Sequence, residues 1–179
     1  MDLRLDFPAE PNGSFHLLIA PRPHVDQLTD ACIARLALAA EVRVLDGGNR
    51  FDLHGIARQV RSRTPELQAA LEQVRIARAF TCYQMAALLG SQPGSSSPLL
   101  ALNLLTVFHD ENVPEAERLR LLGQCLAELK RLAARAPLLV SAIPPRTPAA
   151  AISLARLSAA AGTVWRLEPA VQAVQRAMF

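Results

Sequence analysis

Apolar residues recur along this chain in two alternating rhythms. Short solid runs stand at 15–20 (FHLLIA), 42–45 (VRVL), 74–79 (VRIARA), 99–107 (LLALNLLTV), 138–143 (LLVSAI) and 163–167 (TVWRL). Solid runs of this length suit strands covered on both faces. Between them the apolar positions fall at helical spacing. Leu28, Ile33, Leu36 and Ala40 mark one face over 25–40, and Leu53, Ile56 and Val60 mark another over 51–62. Leu119, Leu122, Leu126, Leu129 and Ala133 mark a long helix over 114–135, with Arg118, Glu128, Arg131 and Arg135 largely on its other side. Shorter helices are predicted over 65–72, 81–89 and 149–160.

Punctuation agrees with these boundaries. Thr64 before Pro65 gives an N-cap and a proline at the first helical position, and Thr81 is a second cap. The stretch 91–98, SQPGSSSP, has the composition of a flexible loop. Residues 1–14 alternate weakly before Pro8, Pro11 and Gly13, which suits an N-terminal arm or edge strand, and 169–179 form a C-terminal tail. Strands alternating with helices in one 179-residue chain predict a single α/β domain. Its sheet should be mostly parallel, with helices on both faces in three layers. Ligands in such sheets bind beyond the carboxyl ends of the strands. That singles out the turns at 21–24, 46–50, 103–112 and 143–148.

Composition narrows the class. Hydrophobic residues make up 51% and aromatics 4%, so the core must be built from Ala, Leu and Val. The net charge of +3 is carried by arginine, with Lys130 the only lysine. Cys32, Cys82 and Cys125 are scattered, which suits reduced core residues and no zinc site. No apolar run is long enough to span a membrane and no basic-then-apolar leader opens the chain, so the expected location is cytoplasmic.

The stretch VLDGGNRFDLHGIAR at 44–58, followed by VRIARAFTCYQ at 74–84, resembles the RecA/RadA recombinase family of P-loop ATPases. The resemblance extends more weakly over residues 15–168. It implies the family's three-layer fold and also exposes four departures from the family's chemistry. A phosphate loop wraps phosphates with backbone N–H groups and adds a lysine. Here the corresponding turn is Pro21-Arg22-Pro23-His24, with two donors lost to proline, no lysine, and Asp26 just beyond. The magnesium-side acid falls near Asn103, the water-activating Glu near Gly48, and the polar sensor near Ala142-Ile143. A one- or two-residue shift would bring in Asp46 or Asp110, but no shift supplies the lysine. The loops that grip DNA in the family correspond to short segments, His109-Asp110-Glu111-Asn112 and a proline-rich stretch with Arg146. The resemblance therefore implies a protein that is not an enzyme and holds no cofactor or metal.

Several residues remain open to two readings. Arg22, His24 and Asn49 are candidates for an anion or nucleotide site at the start of the first helix, against a plain solvated turn. Asp46-Gly47-Gly48-Asn49 is either a remnant ligand turn or a tight strand-to-helix connection requiring positive φ. Arg58, Arg61, Arg63, Arg75 and Arg78 form either a basic patch or a solvated face. His54 reads as a surface or packing histidine, and Trp165 as buried on the last strand. The function expected is a catalytically inactive RecA-like domain acting as an interaction or regulatory factor, in DNA repair or recombination. Its partner is a protein or a second copy of itself. The alternative is an accessory protein that binds nucleotide or single-stranded nucleic acid.

Overall fold

The computed structural model describes Phe7, Pro11 and residues 13–167. Most of the expected arm and all of the tail at 169–179 lie outside them. Six strands form one parallel sheet: β1 (His16–Ile19), β2 (Val42–Asp46), β3 (Val74–Arg78), β4 (Leu99–Leu102), β5 (Leu138–Ala142) and β6 (Thr163–Arg166). Their spatial order is β3-β2-β4-β5-β1-β6. Six α-helices alternate with them: α1 (His24–Ala37), α2 (Leu53–Arg61), α3 (Leu67–Glu72), α4 (Cys82–Gly90), α5 (Glu115–Ala133) and α6 (Pro148–Ala160).

Side chains alternate across each strand, which splits the core into two layers. Leu17, Ile19, Leu45, Leu99, Ala101, Val140 and Ala142 face one way, onto residues of α4, α5 and α6. Leu18, Val42, Val44, Leu100, Leu102 and Leu139 face the other, onto α1, α2 and α3. Right-handed crossovers account for this division. The chain first travels from β1 outward to β3, laying helices on one face. It then returns through β4, β5 and β6, laying helices on the opposite face. The direction reverses between β2 and β4, so their carboxyl ends define the switch point of the sheet.

Local chemistry sets the helix starts. Asp52 caps α2 by accepting from the His54 N–H at 2.9 Å. Thr81 caps α4 through Gln84, and Thr147 caps α6 through Ala150, each at 3.2 Å, with Pro148 opening α6. Thr64 accepts from the Glu66 N–H, yet α3 begins only at Leu67. Along α5, Leu122, Leu129 and Ala133 are fully buried as their spacing predicts. Each such leucine contributes about 1.5–3 kcal/mol of transfer free energy.

Three expectations need correction. The apolar run 99–107 is a strand only to Leu102. Asn103 turns into the left-handed region (φ 49°, ψ 41°), and Leu104–Phe108 coils into a 3-10 helix that buries the remaining apolar residues. Leu53 is 48% exposed rather than part of a buried face, because it starts α2 on the solvent side. Trp165 is only half-buried and stacks on His16 with centroids 5.1 Å apart, since β6 is an edge strand. The segment 91–98 accepts hydrogen bonds from a side chain of β2. The buried Arg43 guanidinium donates to the carbonyls of Pro93 (3.1 Å), Ser95 (3.5 Å) and Ser97 (2.9 Å).

Candidate functional site

The turn from β1 to α1 has little to offer a phosphate. Pro23 is the N-cap of α1 and makes no side-chain cap. The Val25 N–H turns back to the Pro21 carbonyl and the Gln27 N–H to that of Pro23, at 3.2 and 3.1 Å. Arg22 and His24 are both exposed at this turn.

At the end of β2 the chain does build an anion cradle, and fills it with its own carboxylate. Asp46 is fully buried. Its Oδ1 accepts from the N–H groups of Gly48 (3.1 Å) and Arg50 (3.0 Å). Its Oδ2 accepts from Arg50 (2.9 Å) and Phe51 (3.0 Å). Arg78, opposite it on β3, adds an ion pair at 3.5 Å. The backbone winds around the carboxylate because Asn49 takes positive φ (50°); neither Gly47 nor Gly48 does. The glycines serve close packing instead. A β-carbon on Gly47 would lie 2.8 Å from the Met85 methyl. One on Gly48 would lie 2.8 Å from Asn103 Cβ and 3.1 Å from Arg50 Cγ.

That contact closes the switch point. Gly48 at the end of β2 and Asn103 at the end of β4 touch where an acid and its metal-side partner would need space. Asn103 is buried, and its N–H donates to Ser141 Oγ at 2.9 Å. Its Oδ1 has no hydrogen-bond partner among the described residues. Asp110 is exposed and accepts from the Asn112 N–H and side-chain amide, both at 2.9 Å. Among the described residues no group of three or more His, Cys, Asp or Glu could hold a metal ion.

The anion candidates do not converge. Asn49 lines a cleft of about 340 Å³ together with Asp26, Asp30, Asp52, Arg50 and Arg58, without Arg22 or His24. Three carboxylates there make it a poor place for an anion. Asp30 shows the crowding: burial first, then Asp52 and Asp26, push its carboxyl up to about 7, with Arg58 pulling the other way. Arg50 reaches Asp26 at 3.7 Å.

The five arginines are likewise distributed. Arg58 faces the acidic cleft, Arg63 in the turn after α2 bonds Gln59, Arg75 pairs with Glu41 at 3.2 Å, and Arg78 pairs with Asp46. Arg61 is exposed at the end of α2, and His54 is exposed at its start. Beside these charges lie exposed apolar residues on edge strand β3, the turn after it and the start of α4. Ile76 is 39%, Phe80 64% and Tyr83 49% exposed.

A larger space than the acidic cleft lies elsewhere on the carboxyl edge. A cavity of about 630 Å³ opens between the segment leading into α5 and the turn from β5 to α6. Phe108, Leu119, Ile143, Pro144 and Ile152 supply apolar walls; His109, Arg118, Arg146, Glu111 and Glu115 supply polar groups. His109 is exposed at the rim, yet partial desolvation, reinforced by the Arg118 charge, draws its pKa below the ordinary value. The turns at 103–112 and 143–148 were marked by the sheet's topology. Arg118 was not, because its place on a helix face gave no sign that the face borders a cavity.

Comparison with protein-family models finds no match for this chain, and comparison with curated proteins finds no relative.

Proposed function

We infer that this chain is a RecA-like domain without nucleotide chemistry, working through protein contact as a regulatory or interaction factor. The observation that carries the reading is the self-filled carboxyl edge. Three N–H groups that could have cradled a phosphate are bound to Asp46, and the neighbouring crevice is occupied by the Gly48–Asn103 contact. A transition state for phosphoryl transfer needs preorganised positive groups, and a missing one costs several kcal/mol. Contact has a surface to work with. Edge strands present unpaired backbone groups, and β3 sits at one end of the sheet with Ile76, Phe80 and Tyr83 open to solvent. DNA repair and recombination are the settings suggested by the sequence resemblance. The alternative of nucleotide or single-strand binding draws less support. Arg22, His24 and Asn49 do not share a cleft, and most of the five arginines already face partners.

The test is paired. Thermal melting with millimolar ATP-magnesium or ADP should show no shift, and sedimentation over a concentration series should show association that Phe80→Asp abolishes. A nucleotide-dependent shift overturns the loss of chemistry. Association indifferent to Phe80→Asp, or none with itself or a co-expressed recombinase, overturns the contact surface.

A further inference from the structure

The geometry points to a second site, distinct from the crevice of the resemblance: the 630 Å³ cavity between α5 and α6 takes a small organic acid, its carboxylate on Arg118 and Arg146 and its apolar body against Leu119, Ile143 and Ile152. The volume falls within the range of small-molecule pockets, roughly 300–1,000 Å³.

The charges decide which chemistry belongs there. Two helices begin at this cavity, and a helix N-terminus carries partial positive charge. The first turn of α5 already holds Glu115 and Glu117, with Glu111 just before it. The first turn of α6 holds no acid. Negative charge is therefore supplied on the α5 side and missing on the α6 side. Arg146 lies in the turn entering α6 and makes no ion pair among the described residues. Arg118 is half-buried and also makes none. Its Nη1 donates to the Phe108 carbonyl at 3.3 Å, and Nε is buried without a partner among the described residues. Once the side chain turns that edge toward the cavity, it suits a carboxylate, which accepts two parallel N–H bonds.

The floor is largely apolar: a void of about 10 Å³ adjoins the cavity, with Leu105, Ile143, Pro145 and Leu154 among its walls beside Asn103. His109, Ile143 and Ala150 border both. Asn103, 3% exposed with its Oδ1 unpartnered, lines this void. Such a void admits one water at most. Nothing there competes with the arginines for the acid. The fully apolar alternative, a simple hydrophobic docking groove, leaves Arg118 Nε unpaired, at a cost.

The test uses the intact chain, labelled with nitrogen-15, titrated with 4-phenylbutyrate and with the neutral 4-phenylbutyramide. The acid should shift amides at 108–119 and 143–153 and bind at least about tenfold tighter than the amide, as expected for charge-assisted bonds. Arg118→Gln should remove that preference while leaving amide binding in place. Arg146→Gln, at an exposed position, should reduce it at least about threefold, and serves if Arg118→Gln fails to fold. Ile152→Glu, at the exposed wall, should weaken the acid more than the amide. Equal binding of acid and amide overturns the proposal. So do shifts confined to other residues, no shift at about 10 mM ligand, or a preference unchanged in a folded arginine variant.

Discussion

Replacing Asp46 with Ala separates a structural carboxylate from a poised catalytic one by the sign of its effect. The side chain is fully buried and accepts four hydrogen bonds from three backbone N–H groups, at 2.9 to 3.1 Å. Hydrogen bonds to a charged group contribute about 1.5–3 kcal/mol each. The sum is not the expected loss, because Asn49 and Arg50 are exposed and their turn can admit water once the carboxylate is gone. The Arg78 ion pair adds little, since Arg78 is 45% exposed and can turn into solvent. The expected destabilisation is about 3–4 kcal/mol for Asp46→Ala. Asp46→Asn should cost about 2 kcal/mol, since one oxygen still accepts while the amide nitrogen faces N–H donors. Arg78→Ala should cost under about 1 kcal/mol. Urea unfolding followed by circular dichroism measures all three, with the shift in midpoint read at constant slope. A carboxylate held ready for chemistry is typically strained or poorly solvated, and its removal stabilises the fold. A loss below about 1 kcal/mol for Asp46→Ala, or any gain, therefore refutes the self-filled cradle.

Other perturbations test neighbouring parts of the argument. Gly48→Glu, which would supply the acid expected of the resemblance, should destabilise by about 1–3 kcal/mol and yield no ATP hydrolysis, because its β-carbon meets Asn103 at 2.8 Å; calorimetry and phosphate release check both. Arg43→Gln should free 91–98 from its three carbonyl contacts, seen as faster amide exchange and proteolysis there and a loss of about 2–3 kcal/mol. The folded carboxyl of Asp30 titrates near 7, above its unfolded value, so the folded state holds an extra proton between about pH 4 and 7. Its stabilising contribution is present in acid and is lost as pH rises toward 7; screened by water, it amounts to about 1–2 kcal/mol. Asp30→Asn should flatten the urea midpoint between pH 5 and 8, and an unchanged slope refutes the assignment. Cys32 and Cys125, buried with thiols pushed up to about 11 and 12, should react with a thiol reagent only on unfolding.

The sequence alone determined the architecture. Six solid apolar runs separated by helical periods leave little choice but a parallel sheet covered on both faces, because a strand with two apolar faces must bury both. It also marked the edge where ligands would be sought, since strand ends and Gly- or Pro-rich turns are local features. Only the tertiary structure decided what those turns hold. Asp46 reads in sequence as a free acid, and its bonds come from residues two to five positions on, shaped by a positive φ at Asn49. The Gly48–Asn103 contact, the grip of Arg43 on 91–98, and the cavity between Arg118 and Arg146 join residues about thirty to fifty-five positions apart. Hydrophobic period carries no information on such pairings. They are fixed by strand order and by which charged groups the packed helices leave without a partner.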